Sequence, residues 1–232
     1  MHPAIFTMDG ILFLFRWLHT LFGVTWIGLL YYFNFVQGPF FAETDAATKS
    51  NAIQKLVPRA LWWFRWAAMF TIITGLILIT GRAHMGFSFA TSWGVCILTG
   101  MSLGTIMFLN VWLIIWPNQK IVIASATAAA TGGKALPEAA AAGTRAGLAS
   151  RTNTLFSIPM LFFMAAANHL TISTTDTAKF GVCAGILAVI ILGLEFNAIK
   201  GKTGPITTVK GVIHMGFVLT IVLYAVIEFT LA

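Results

Sequence analysis

Residues 11–36 read Ile11-Leu12-Phe13-Leu14-Phe15-Arg16-Trp17-Leu18-His19-Thr20-Leu21-Phe22-Gly23-Val24-Thr25-Trp26-Ile27-Gly28-Leu29-Leu30-Tyr31-Tyr32-Phe33-Asn34-Phe35-Val36. About 20 predominantly apolar residues in a helix suffice to cross the roughly 30 Å hydrocarbon layer of a bilayer. This run is longer than that, too long for a signal-peptide core, and no basic segment precedes it, so it is read as a membrane span. Five further stretches meet the same criterion, near 59–80, 92–116, 154–172, 179–199 and 208–231. The composition agrees: 58% of the 232 residues are hydrophobic, 9% are charged, and the mean hydropathy is +0.88. Soluble domains carry about a quarter charged residues. The expected fold class is therefore all-α, a polytopic membrane helix bundle of about six transmembrane helices, in one integral membrane domain over 1–232.

The net charge of +7 does not indicate nucleic acid, because the basic residues are sorted by connection. Alternating connections place Lys49, Lys55, Arg59, Lys120, Lys134, Arg145, Arg151, Lys200, Lys202 and Lys210 on one side of the bilayer, and only Arg82 and Lys179 on the other. A lysine and arginine excess marks the cytoplasmic side. Both termini are then expected outside, in the periplasm or its equivalent, and no nucleic-acid partner is expected. The long inner connection, 119–152, is alanine-rich, with a break at Gly132-Gly133 and a helix start at Pro137-Glu138, and reads as short helices lying near the membrane surface. The 1–2 connection, 37–58, reads as a polar loop with room for a short helix. Cys96 and Cys183 lie inside spans and outside any Cys-x-x-Cys-His pattern, so neither a disulfide framework nor covalent haem attachment is expected.

His19 is the candidate that carries chemistry. An ionisable side chain at membrane depth is costly, by roughly 2.5 kcal/mol or more for a charge at the helix centre, and marks a functional site by default. Neutral imidazole is a common axial ligand of haem iron. Gly23 lies one turn further along the same helix face and Trp26 a further turn on. A missing side chain leaves room for a flat macrocycle, an indole packs on it, and Arg16, one turn before His19, is placed to pair with a propionate. The other reading of His19 is a histidine hydrogen-bonded to a neighbouring helix. His214 repeats the pattern in the last span, within Gly211-Val212-Ile213-His214-Met215-Gly216. His169 and His84 fall near the outer interface and are candidates for a second haem or for interfacial roles. The expected cofactor is haem b, one or two per chain, with His19, His214 and His169 as metal ligands, and His84, Arg16, Gly23 and Trp26 in the cofactor-binding set. Glu195 and Glu228 are candidate proton relays, and Arg16, Asn110, Asn153 and Asn168 are candidates for recognising a polar substrate.

Three stretches carry a resemblance. Arg16-Trp17-Leu18-His19 through Trp26-Ile27-Gly28, the run Asn110-Val111-Trp112-Leu113-Ile114-Ile115-Trp116-Pro117-Asn118-Gln119-Lys120, and the run Ala149-Ser150-Arg151-Thr152-Asn153-Thr154-Leu155-Phe156-Ser157-Ile158-Pro159-Met160-Leu161-Phe162-Phe163-Met164 resemble the membrane domain of the cytochrome-c-linked bacterial urate oxidases, the urate oxidase N-terminal family. The first stretch is also similar, more faintly, to the first helix of CopD-type copper proteins and of haem-binding protoporphyrinogen oxidases. The resemblance implies a multi-pass protein of the bacterial inner membrane with an oxidoreductase or electron-transfer role. In the family a c-type cytochrome follows the membrane domain. These 232 residues hold none, so the expected acceptor is a separate periplasmic cytochrome c. Two other readings stay open at this point: a non-catalytic accessory subunit of a larger membrane complex, and a CopD-like metal-handling protein.

Overall fold

A computed structural model of the chain describes residues 3–174 and 176–232. Among them every regular element is helical. Five helical stretches are long and apolar enough to cross a membrane by length and composition: Met8–Glu43, Val57–His84, Ser92–Ala130, Phe180–Lys200 and Val209–Leu231. The chain is thus a helical membrane protein. The expected span at 154–172 falls in a further helix, Ala139–His169, of 31 residues. Its apolar character is diluted by Thr152, Asn153, Thr154 and Ser157, all of which are buried in the protein.

The chain divides into two compact units, Met1–Phe87 with Lys120–Leu136, and Ser88–Gln119 with Pro137–Ala232. In the first, α1 (Met8–Tyr31) packs along α4 (Val57–His84). Phe22 stacks on Phe70 with ring centroids 5.0 Å apart, and Phe33 meets Phe64 edge-on at 5.4 Å. The 37–58 connection is more helical than its polar composition suggests. A π segment, Tyr32–Gln37, and α2 (Gly38–Glu43) prolong α1, and α3 (Ala46–Lys55) follows almost at once. Asp45 starts α3 by accepting the backbone N–H groups of Ala47 and Thr48, two of the donors that an N-terminal turn leaves unpaired.

In the second unit α7 (Ala139–His169) is the central element, packed by α5 (Ser92–Leu109), α8 (Phe180–Lys200) and α9 (Val209–Leu231). The segment 119–152 differs from the surface helices expected there. Residues 119–130 belong to α6 (Trp116–Ala130), which continues from α5 through a second π segment, Asn110–Ile115, and residues 139–152 are the first half of α7. Alanine is the strongest helix former, so the alanine-rich stretches extend the helices at either side. Gly132, with φ of 85°, ends the first of them, as a left-handed glycine does at a helix C-terminus.

The two π segments share a cause. A proline stands two residues past each, Pro39 and Pro117, with no N–H to offer the carbonyl four residues back and a ring that crowds it. The turn widens instead, and the N–H of Gly38 bonds Phe33 O while that of Trp116 bonds Val111 O, each five residues back. Such π turns often sit at functional sites.

Candidate functional site

His19 projects from α1 onto α4. Its Nδ1 lies 2.9 Å from the carbonyl oxygen of Thr71 and 3.1 Å from the Thr74 hydroxyl. A carbonyl only accepts, so Nδ1 must carry the proton, and in the neutral imidazole Nε2 then holds a lone pair. Thr74 donates its hydroxyl to Phe70 O at 2.6 Å, which leaves its oxygen free to accept from the imidazole. Gly75 leaves room for the ring. A Cβ on it would stand 3.1 Å from Cε1 and 3.4 Å from Nδ1 of His19. The hydrogen bond to a neighbouring helix is therefore present, and it occupies one of the two ring nitrogens.

Arg16, His19, Gly23 and Trp26 lie on one stripe of α1. Arg16 is exposed and His19 half-buried. No heavy atom outside the helix stands within 4 Å of where a Gly23 Cβ would be. Trp26 is 1% exposed, yet its buried Nε1 has no hydrogen-bond partner, an uncommon state for a buried donor. A metal-ligating histidine usually has its other ring N–H held by a carbonyl or carboxylate, as the Thr71 carbonyl holds Nδ1 here. With the open space at Gly23 and the orphaned indole N–H, these residues fit a haem. Among the described residues no group of three or more His, Cys, Asp or Glu gathers as a site for a bare metal ion would require. Haem iron, in contrast, asks the protein for only one or two axial side chains.

The other candidate histidines stand apart within their units. His84 is the exposed last residue of α4. Measured along α4 from the Thr71–Gly75 level, it is roughly 15 Å from His19 at 1.5 Å per residue. In the second unit Ile158 on α7 faces Gly216 on α9, and the Phe162 and Tyr224 rings meet at 6.0 Å, so the two helices run parallel. His214 lies just below that level and His169 at the far end of α7, roughly 20 Å away along the axes. Both are exposed.

A second polar cluster lies in the second unit. Asn110, at the start of its π segment, donates Nδ2 to Asn153 Oδ1 at 2.9 Å and to Glu195 Oε2 at 3.0 Å. Asn153 in turn donates to Met107 O at 2.9 Å. Asn110 is 1% exposed and Asn153 fully buried. The sequence singled out all three side chains but did not join them, because they come from three separate elements, the π segment after α5, α7 and α8. It missed Thr71, Thr74 and Gly75 altogether. Their spacing in Thr71-Ile72-Ile73-Thr74-Gly75 puts three small or hydroxylic positions on one face of an apolar helix, which is the signal that would have found them.

No curated protein and no solved structure matches the chain. The pattern of the urate oxidase N-terminal family matches residues 82–227, which hold α5 to α8 and most of α9, with the Asn110–Asn153–Glu195 cluster; His19 precedes the matched region. The match spans more than half of the sequence and includes two of the three stretches that carried the resemblance, so the chain belongs to the urate oxidase N-terminal family.

Proposed function

We propose that the protein is a b-type haem protein of the bacterial inner membrane that passes electrons to a periplasmic c-type cytochrome. The observation that carries this reading is the His19 Nδ1 to Thr71 O bond of 2.9 Å, which fixes the tautomer with Nε2 unprotonated and steadies the ring. In this reading His19 would give the iron its unprotonated Nε2, Gly23 would leave room for the macrocycle, and Trp26 would offer its unpaired N–H to a polar edge of the group. Arg16 is placed to hold a propionate. When bound, haem supplies a one-electron carrier. The chain's residues set its position and exclude water. His214, His169 and His84 are the candidates for a second haem. Family membership supports an oxidoreductase setting, with urate as the candidate electron donor, and the lysine and arginine sorting supports exit of electrons on the outer side.

The experiment is anaerobic mixing of the dithionite-reduced, desalted protein with oxidised cytochrome c. Loss of the reduced b-type spectrum should match the growth of the reduced c-type spectrum, one electron for one. A b-type signal that stays reduced in the presence of excess oxidised cytochrome c would contradict the electron-transfer role.

A further inference from the structure

A cavity of about 360 Å³ opens between α7, α8 and α9, walled by Leu155 from α7, Gly193 and Leu194 from α8, and Met215 and Val218 from α9. The volume lies within the roughly 300–1,000 Å³ of small-molecule sites, and the wall carries almost no polar surface. The helical period shows what stands one turn beyond it towards one end of the unit. Arg151 precedes Leu155 by four residues on α7, Asn197 follows Gly193 by four on α8, and Gly211 precedes Met215 by four on α9, so each shares the face of the cavity-lining residue. That end also carries Lys200, Lys202 and Lys210, and Asn197 ties the α8–α9 connection in place by donating Nδ2 to Lys202 O at 3.1 Å. Arg151 has no carboxylate within 4 Å among the described residues, where Lys179–Asp176 is the ion pair observed. One guanidinium nitrogen of Arg151, Nη1, is buried without a hydrogen-bond partner.

We propose that this cleft seats one anionic phospholipid, its acyl chain in the cavity and its phosphate on Arg151. Charge decides between occupants. The guanidinium one turn beyond the cavity on α7, with no carboxylate partner among the described residues, asks for an anion, and a phosphate takes the charge-assisted, bidentate bonds that suit arginine. A neutral lipid or a prenyl tail would fill the apolar part and leave Arg151 unpaired. The proposal does not depend on haem binding.

Gly193 gives a variant with little effect on the fold, because a Cβ there meets no atom within 4 Å. Gly193→Leu fills the cavity with side chain, and Gly193→Ala serves as the control that leaves it open. The protein and its variants are reconstituted in vesicles of equal phosphatidylcholine and phosphatidylglycerol, extracted, and weighed by native mass spectrometry, with circular dichroism to verify the fold. The expected result is one retained phosphatidylglycerol per chain in the wild type and in Gly193→Ala. Arg151→Gln should lower the preference for phosphatidylglycerol roughly tenfold or more, as loss of a charged hydrogen bond does, and Gly193→Leu should abolish retention of either lipid. Equal retention of the two lipids by the wild type, or retention that survives Gly193→Leu in a folded protein, would overturn the proposal.

Discussion

The imidazole of His19 on α1 is tied to the backbone of Thr71 on α4 by a 2.9 Å hydrogen bond from Nδ1. The ring lies close over residue 75, where a glycine leaves it room. The same bond that joins the two helices also decides which ring nitrogen is left for other use.

Gly75→Ala tests that relationship. Alanine is favoured over glycine in a helix by roughly 1 kcal/mol, whereas crowding a packed site costs about 1–3 kcal/mol. A contact of 3.1 Å is mild crowding, so the net loss should be small and the melting temperature should fall by no more than a few degrees. The added methyl should nevertheless tilt the ring off the Thr71 carbonyl. We expect retained haem with an altered reduction potential, measured by redox titration followed at the reduced α-band. An unchanged potential would mean that the tie to α4 does not tune the iron.

Gly23→Leu separates space for a cofactor from space left by packing. No atom from another helix stands within 4 Å of the Cβ position, so the variant should insert and fold as the wild type does. If the macrocycle lies there, haem recovered per chain should fall to a small fraction of the wild-type ratio, as read by the pyridine haemochrome assay. A full complement of haem in the variant would place the cofactor elsewhere.

The Asn110 cluster makes a prediction about stability. Asn153→Ala removes the acceptor of one Asn110 N–H and a donor to Met107 O. Each buried group left unpaired costs about 1–3 kcal/mol, and the apparent melting temperature in detergent should drop by several degrees. Glu195→Gln keeps an acceptor for Asn110 and should cost much less than Glu195→Leu, which removes it. Equal losses in these two variants would show that the 3.0 Å contact from Asn110 to Glu195 contributes nothing.

Asp45 supplies a pH dependence outside the spans. The hydroxyl of Thr48 and then its backbone N–H hold the Asp45 carboxyl below the usual carboxylate range. Because the folded value is the depressed one, the cap stabilises α3 fully above the unfolded-state value and is lost as the pH falls through the folded value. Hydrogen exchange of the α3 amides, corrected for the intrinsic rate, should show fraying on acidification below the ordinary aspartate range. In Asp45→Asn, which caps without titrating, that acid-induced fraying should be absent.

The sequence made the spans legible because each needs only length and apolar character. It also located the breaks between α6 and α7 at Gly132-Gly133 and Pro137-Glu138, where the structure ends one helix and begins the other. It did not show that residues 119–130 and 139–152 simply prolong those helices, since alanine-rich stretches with few large apolar side chains suit a short surface helix as well as the end of a long one. Nor did it pair the polar side chains. Asn153 and Glu195 lie 43 and 85 residues from Asn110 in sequence, and only the packing of the Asn110–Ile115 π segment, α7 and α8 brings them together. His19 stood out because an imidazole in such a run is costly, whereas its partner at position 71 is a backbone carbonyl, which no residue type announces.

Haem on His19 would show in the reduced-minus-oxidised absorption spectrum of the purified protein, set beside that of His19→Ala. The account predicts a sharp b-type α-band and Soret peak in the wild type, and their loss or near loss in a variant that still inserts as a folded helical protein. A colourless wild type, or a spectrum unchanged by His19→Ala, would contradict it.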